Sequence, residues 1–192
     1  MTRRLAVAVV AAVCVLVAGC SATPTPAPPS PSVDLVAARR AAGIADCPQP
    51  DGVPVDGGLP SMSLECLGGD TTVQLSSLRG PLVINLWAQW CLPCRQEAKI
   101  LQQFHAEDGD KVAMLGIDYN DPQPELAVEF AQLAGWKYPQ LADMDKAVEA
   151  ALAVPGIPMS LLIDADGRIA ARHPGPFDSV AELRAWVDEG LS

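Results

Sequence analysis

The sequence predicts an α/β domain, a sheet with helices on both faces, over residues 34–192. Three observations predict it. Residues 81–88 (PLVINLWA) and 111–119 (KVAMLGIDY) are continuous apolar runs of strand length, the pattern of strands buried on both faces. Between them, Ala98, Leu101 and Phe104 fall at helical spacing within residues 95–106. After them a strand-like run, a turn signal, a returning strand and a capped helix close the chain. No internal repeat is visible.

Taken from the N-terminus, Thr2-Arg3-Arg4 is a short cationic segment followed by fifteen apolar or small residues, Leu5 to Gly19. That run is shorter than the ~20 residues a spanning helix needs and suits a secretory leader over residues 1–19. It closes on Val17-Ala18-Gly19-Cys20, which resembles the lipobox of bacterial lipoproteins. The resemblance implies that Cys20 becomes the first mature residue and carries a diacylglyceryl thioether, with two acyl chains sufficing for durable anchoring. Ordinary leader cleavage without lipid and an uncleaved anchor are the alternatives. Cys14 lies within the discarded segment. Residues 21–32 contain only Ser, Ala, Thr and Pro, so residues 20–33 read as a lipidated Cys and an extended spacer.

Residues 34–44 read as a short lead-in helix, residues 47–69 as turn-rich with short strands at most, and residues 71–75 as extended. A helix follows over residues 124–134, with Gly135 at its C-cap, and a shorter one over residues 145–153. Residues 159–165 and 168–172 form strands about an Asp166-Gly167 hairpin signal. Ser179-Val180-Ala181-Glu182 is a capping box opening a helix that carries Leu183, Trp186 and Val187.

Lys and Arg number 13 against 23 Asp and Glu, and loss of Arg3 and Arg4 with the leader deepens the excess to twelve negative charges. Such a surface repels phosphate backbones and anionic lipid, which excludes nucleic-acid binding and docking by basic patches.

Four cysteines remain for the folded domain: Cys47, Cys66, Cys91 and Cys94, which allow three pairings. The economical solution is a Cys91–Cys94 redox pair and a structural Cys47–Cys66 disulfide, of the kind that persists in exported domains. Two unpaired thiols, or Cys66 as a third redox partner, are the other readings. Cys91 and Cys94 flank a strand-to-helix junction, where free N–H groups and the helix dipole stabilise a thiolate. Pro93 fits the first helical turn, where its missing N–H costs nothing. The Cys91 thiolate then attacks a substrate disulfide and Cys94 resolves the mixed disulfide. Cys91 is expected to be the exposed member and Cys94 the buried one. A CxxC can also be half a zinc site, but His105, read as a surface residue, and His173, read as a loop residue, are isolated, so no metal set is predicted.

The segment Ile84-Asn85-Leu86-Trp87-Ala88-Gln89-Trp90-Cys91-Leu92-Pro93-Cys94-Arg95-Gln96-Glu97 resembles the active-site segment of thioredoxin-like proteins, more narrowly the membrane-tethered TlpA/ResA-like group. The resemblance spans about residues 59–191. It implies a thioredoxin-like fold with a central mixed sheet, an N-terminal extension, and an inserted helix and strand within residues 118–145. It implies a cis Pro158, in Gly156-Ile157-Pro158, facing the dithiol, with the backbone at Ile157 pairing with a bound chain; an ordinary trans proline is the alternative. Trp90, Leu92 and Pro93 fall on the substrate-contact surface, whereas Trp87 is core. Glu97 matches a glutamate that manages protons near the dithiol, the alternative being a solvated helix glutamate. Asn85 stands where thioredoxins carry a buried acid, and an amide cannot take up a proton. Two departures from the group's pattern are Met159 in place of Thr and Ala98-Lys99 in place of a hydrophobic-Pro pair.

The function implied is thiol–disulfide exchange on the extracytoplasmic face of the cell membrane, with no cofactor beyond the Cys91–Cys94 pair. The resemblance points to a reductase that receives electrons from a membrane thiol–disulfide carrier. Its clients would be exported cysteine proteins, apocytochrome c among them. A disulfide-forming oxidase and a copper or zinc carrier using the CxxC are the rival readings.

Overall fold

The computed structural model describes residues 33–69 and 71–192; the leader, Cys20 and almost all of the spacer lie outside the described residues. Its elements are α1 (Leu35–Ala42), β1 (Ser63–Cys66), β2 (Thr72–Gln74), β3 (Leu82–Trp87), α2 (Leu92–Asp108), β4 (Ala113–Tyr119), α3 (Pro124–Leu133), β5 (Gln140–Asp143), α4 (Val148–Leu152), β6 (Met159–Ile163), β7 (Ile169–Pro174) and α5 (Val180–Gly190). One seven-stranded sheet runs in the order β2-β1-β5-β4-β3-β6-β7. The central trio β5, β4 and β3 is parallel, and the remaining pairings are antiparallel. This is the mixed sheet of a thioredoxin-like α/β fold.

The apolar run at β3 becomes the middle of the sheet because every residue in it has somewhere dry to go. All six of its residues are buried. Alternation sends Val83 and Trp87 into one core and Leu82, Ile84 and Leu86 into the other. The first core is roofed by α1, α2, α3 and α5, which contribute Ala42, Leu101, Phe104, Ala131, Leu183 and Val187. The second is closed by α4 and by the turn-rich stretch that supplies Leu59, Leu64, Leu75 and Leu78. Both faces are therefore covered, the second by one short helix.

Local chemistry sets the helix ends. The Asp34 carboxylate accepts from Ala37 N–H at 2.9 Å to start α1, and Gly43 ends it at φ +70°. Ser179 Oγ accepts from Glu182 N–H at 3.1 Å to start α5. The fourth helix begins later than the sequence pattern predicts, at Val148. The Asp143 carboxylate accepts from Ala147 N–H at 2.7 Å and Val148 N–H at 3.1 Å, so the cap is set from the end of β5 and residues 145–147 stay in a turn.

Beside β3, Gly116 on β4 lets another side chain cross the sheet surface. A Cβ there would lie 1.7 Å from Gln140 Oε1, so only glycine leaves room for the amide that accepts from Trp87 Nε1 at 2.9 Å. Trp87 in turn packs edge-on against Trp136, ring centroids 4.8 Å apart. That anchors the C-terminal end of β3, from which the next turn leaves. Among the described residues no helix is long and apolar enough to cross a membrane.

Candidate active site

The chain leaves β3 at Trp87, turns, and enters α2 at Leu92, so Cys91 is the N-cap of that helix. Cys91 N–H donates to Ala88 O at 3.1 Å, and its carbonyl accepts from Arg95 N–H at 3.1 Å. Its Sγ accepts from Cys94 N–H at 3.2 Å, which places the sulfur where unpaired helix donors point. Pro93 sits in the first turn, where no donor is missed. Cys91 and Cys94 are joined in a disulfide with Cα atoms 5.3 Å apart.

Across from them, the Ile157–Pro158 peptide is cis, and Ile157 O lies 3.7 Å from Cys91 Sγ. Pro158 is buried and Ile157 half-buried. Trp90 and Leu92, on either side of Cys91, are 50% and 67% exposed. Trp90 Nε1 donates to Asn120 O at 3.2 Å, which ties its ring to the loop after β4. The exposed Cys91 expected from the sequence is corrected by the structure: it is only 4% exposed, against 0% for Cys94. The N-cap position draws it into the core formed with Trp87, Ala88 and Ala98, and the large apolar side chains beside it make the exposed surface.

Behind the dithiol, α2 carries Glu97 into the core at 1% exposure. Asn85 Nδ2 on β3 donates to Glu97 Oε1 at 3.0 Å and to Ser160 Oγ at 3.1 Å; Phe177 N–H donates to Glu97 Oε2 at 3.1 Å. Burial pushes the carboxyl up to about 7, against the opposing pull of the Phe177 N–H and the Asn85 amide. It is thus a buried acid that changes protonation near neutral pH, not a solvated helix glutamate.

Both histidine readings are corrected. His105 is half-buried and packs edge-on against Tyr138, centroids 5.2 Å apart, because its face of α2 turns toward the segment before β5. Burial lowers its pKa, with Asp110 opposing. His173 lies within β7 and stacks on Phe177 at 3.9 Å, held there by the antiparallel pairing with β6. Among the described residues no group of three or more His, Cys, Asp or Glu side chains is placed to hold a metal ion.

Cys47 and Cys66 form the other disulfide, Cα atoms 5.9 Å apart. Sequence reasoning missed a buried acidic group at the ends of the parallel strands: Asp118, Asp121 and Asp143, each at most 2% exposed. Asp118 pairs in register with Trp87, the residue from which the Cys91 turn begins. Burial and its acidic neighbours, Asp121 foremost, push the Asp118 carboxyl up to about 9. The one signal for it was a carboxylate closing an otherwise apolar strand.

Residues 55–172 match the AhpC/TSA family. The chain is 34% identical over 138 residues to a thiol:disulfide interchange protein DsbE of Pseudomonas fluorescens biotype C, covering 68% of this chain and 76% of that one. It is 36% identical over 119 residues to the thiol:disulfide interchange protein CycY of Rhizobium leguminosarum, where the match spans 60% of this chain and only 59% of the relative. Among solved structures, a secreted Mycobacterium tuberculosis disulfide oxidoreductase homologous to Escherichia coli DsbE superposes with a TM-score of 0.59 at 26% identity, covering 67% of this chain and 96% of that one.

Proposed function

The chain belongs to the AhpC/TSA family of thioredoxin-like proteins, and from that premise we propose that it is an extracytoplasmic thiol–disulfide oxidoreductase that reduces disulfides in exported proteins. The observation that carries this reading is Cys91 at the N-cap of α2, bonded to Cys94 and facing the Ile157 carbonyl beside Pro158. Names of relatives that denote thiol:disulfide interchange support it.

In the reduced state, the Cys91 thiolate is stabilised by the Cys94 N–H and the helix dipole. It attacks one sulfur of a client disulfide, forming a Cys91–client bond while the second client sulfur leaves as a thiolate. Cys94 gives up its proton and attacks Cys91 Sγ, which releases the client as a dithiol and leaves the Cys91–Cys94 disulfide. Glu97, on the same helix and able to take a proton near pH 7, is the acceptor for the Cys94 proton. Trp90, Leu92, Pro93 and Ile157 supply the apolar rim and the backbone edge on which the client chain lies.

A membrane thiol–disulfide carrier returns two electrons to the pair, and apocytochrome c, with its paired haem-attachment cysteines, is a client of the right chemistry. The leader at residues 1–19 and acylation of Cys20 would hold the domain at the outer face of the cell membrane on the spacer through residue 33, with residues 34–192 as the catalytic domain. Cys94→Ala tests the reading: it should trap clients as mixed disulfides on Cys91, identifiable by mass spectrometry. Absence of any Cys91-linked adduct, or a Cys91–Cys94 pair that is mainly oxidised in cells and has the potential of a strong oxidant, would overturn it.

A further inference from the structure

Glu97 takes one donor from β3 and the other from the loop that joins β7 to α5, and that loop also reaches the proposed client site. Residues 174–178 include Pro174 and Pro176, which have no N–H to donate. Each of the three remaining donors bonds outside the loop. Gly175 N–H donates to Pro158 O at 2.9 Å, Phe177 N–H to Glu97 Oε2 at 3.1 Å, and Asp178 N–H to Glu182 Oε2 at 2.6 Å. Gly175 turns the chain between the first two at φ +93°. The loop thus bridges Pro158 and the buried acid, and none of these donors is spent on holding its own shape.

Rings hold it instead. The His173 imidazole on β7 lies 3.9 Å from the Phe177 ring with the planes 11° apart, and Trp186 of α5 packs against Phe177 at 5.4 Å. Phe177 is buried and His173 half-buried. His173 is fixed in turn by register: it pairs with Ser160 on β6, and Ser160 pairs with Asn85 on β3, so the three side chains share one face of the sheet. Asn85 Nδ2 donates to both Ser160 Oγ and Glu97 Oε1. One cross-strand row therefore governs both donors to the carboxyl, Asn85 directly and Phe177 through the stack.

We infer that His173 is a positioning residue for the proton acceptor: its ring, stacked on Phe177, keeps the loop N–H on Glu97 and ties that carboxyl to Pro158. Its bearing on turnover rests on the oxidoreductase reading, whereas its hold on Glu97 does not. A donor at Oε2 favours the carboxylate, so a Phe177 that swings away leaves burial less opposed and favours the protonated acid. The titratable groups gathered about Glu97 are Cys94 three positions back on α2, Tyr138 ahead of β5, whose phenol is pushed up by burial and then by the Glu97 charge, and His173. From α5, Arg184 is engaged by Glu107 and Asp108, and Glu182 by the Asp178 N–H. Phe177 is neutral and acts on Glu97 through hydrogen-bond geometry alone.

The test reads Glu97 directly, by carbon-13 NMR of the full chain carrying labelled glutamate, the resonance being assigned by its loss in Glu97→Gln. His173→Ala should raise the Glu97 midpoint from about 7 by roughly one pH unit, the size expected when a hydrogen bond to a charged group is weakened. Resolution of the mixed disulfide at pH 7 should then slow about fivefold, as the ionised fraction falls from about one half to about one tenth. His173→Phe, which keeps a planar ring and carries no charge, should bring midpoint and rate back close to wild type. His173→Leu fills the space without a ring and takes the place of the alanine variant where that does not fold. A loss of stability in His173→Ala with the midpoint unmoved would overturn the inference. So would a His173→Phe midpoint that stays with that of alanine, since charge and not stacking would then be at work. Failure of the oxidoreductase reading shows elsewhere: Cys94→Ala would trap no client on Cys91, while the Glu97 midpoint, read without any client, would still respond to His173.

Discussion

Glu97 and Asp118 are both carboxyls at 1% exposure, yet their partners separate them. Glu97 accepts from the Asn85 amide and the Phe177 N–H and settles at about 7. Among the described residues neither Asp118 oxygen has a hydrogen-bond partner, and burial together with Asp121 and Asp143 holds the carboxyl at about 9. The first can exchange a proton at physiological pH; the second stays neutral. For Glu97, the proposed role predicts that resolution of the mixed disulfide accelerates as pH rises through about 7, where the carboxyl ionises and can accept a proton. Glu97→Gln should flatten that rise and slow resolution at pH 7.5 by roughly tenfold to a hundredfold, below the usual range for a lost general base because water can substitute. Stopped-flow tryptophan fluorescence across a pH series reads both, and an unchanged inflection would remove Glu97 from the proton path. For Asp118 the sign is that of a raised acid: stability is greatest below the ordinary value near 3.8 and falls as pH climbs toward 9, where the folded protein finally ionises. Asp118→Asn mimics the neutral form. It should raise unfolding free energy by about 2 kcal/mol at pH 7, from ~1.4 kcal/mol per pH unit less an allowance for relaxation, and by almost nothing at pH 4. Urea unfolding at the two pH values measures the difference.

At the scale of the element, α5 does more than cover the sheet. Arg184 on it donates to Asp108 Oδ2 at 2.7 Å and pairs with Glu107, fixing the helix to the far end of α2. Two residues ahead of its Ser179 cap, Phe177 N–H holds Glu97. Ser179→Ala should therefore cost about 1 kcal/mol of stability, the usual worth of such a cap. It should also move the inflection assigned to Glu97 upward, since a frayed first turn loosens the donor that favours its ionised form. A stability loss with no movement in the pH profile would confine Ser179 to capping. The cap was legible as Ser179-Val180-Ala181-Glu182 because the residues that make it are adjacent. The apolar runs of β3 and β4 were legible for the same reason. Four-residue β1 was not, because a strand that short carries no periodicity of its own and forms only by pairing with β2 and β5. Nor was the dry setting of Cys91 or the acidic group around Asp118, which are products of packing between strands far apart in the chain. The dithiol itself could be read from spacing, whereas what lies around each sulfur could not.

For the molecule as a whole, the two disulfides differ in what they constrain. Cys91 and Cys94 are separated by three positions and Cys47 and Cys66 by nineteen. Loop-closure entropy grows with the loop, so opening the first costs the fold less than opening the second, which is worth roughly 3 kcal/mol on the chain-entropy model. On the proposed function, the short-loop pair can then cycle without loosening the domain that positions it. Cys47→Ser with Cys66→Ser should consequently lower the melting temperature by about 6–12 °C relative to the oxidised protein, at 2–4 °C per kcal/mol for a chain of this size. Wild type with the same bond reduced should also melt below the oxidised protein, because the crosslink is lost there too. The crosslink is absent in both the reduced and the serine protein, so the drop from the oxidised protein that they share reports loop closure. Scanning calorimetry on the Cys91→Ser, Cys94→Ser background removes the short loop from the comparison. Equal melting of the oxidised and serine proteins would show that closing the nineteen-position loop does not stabilise the fold.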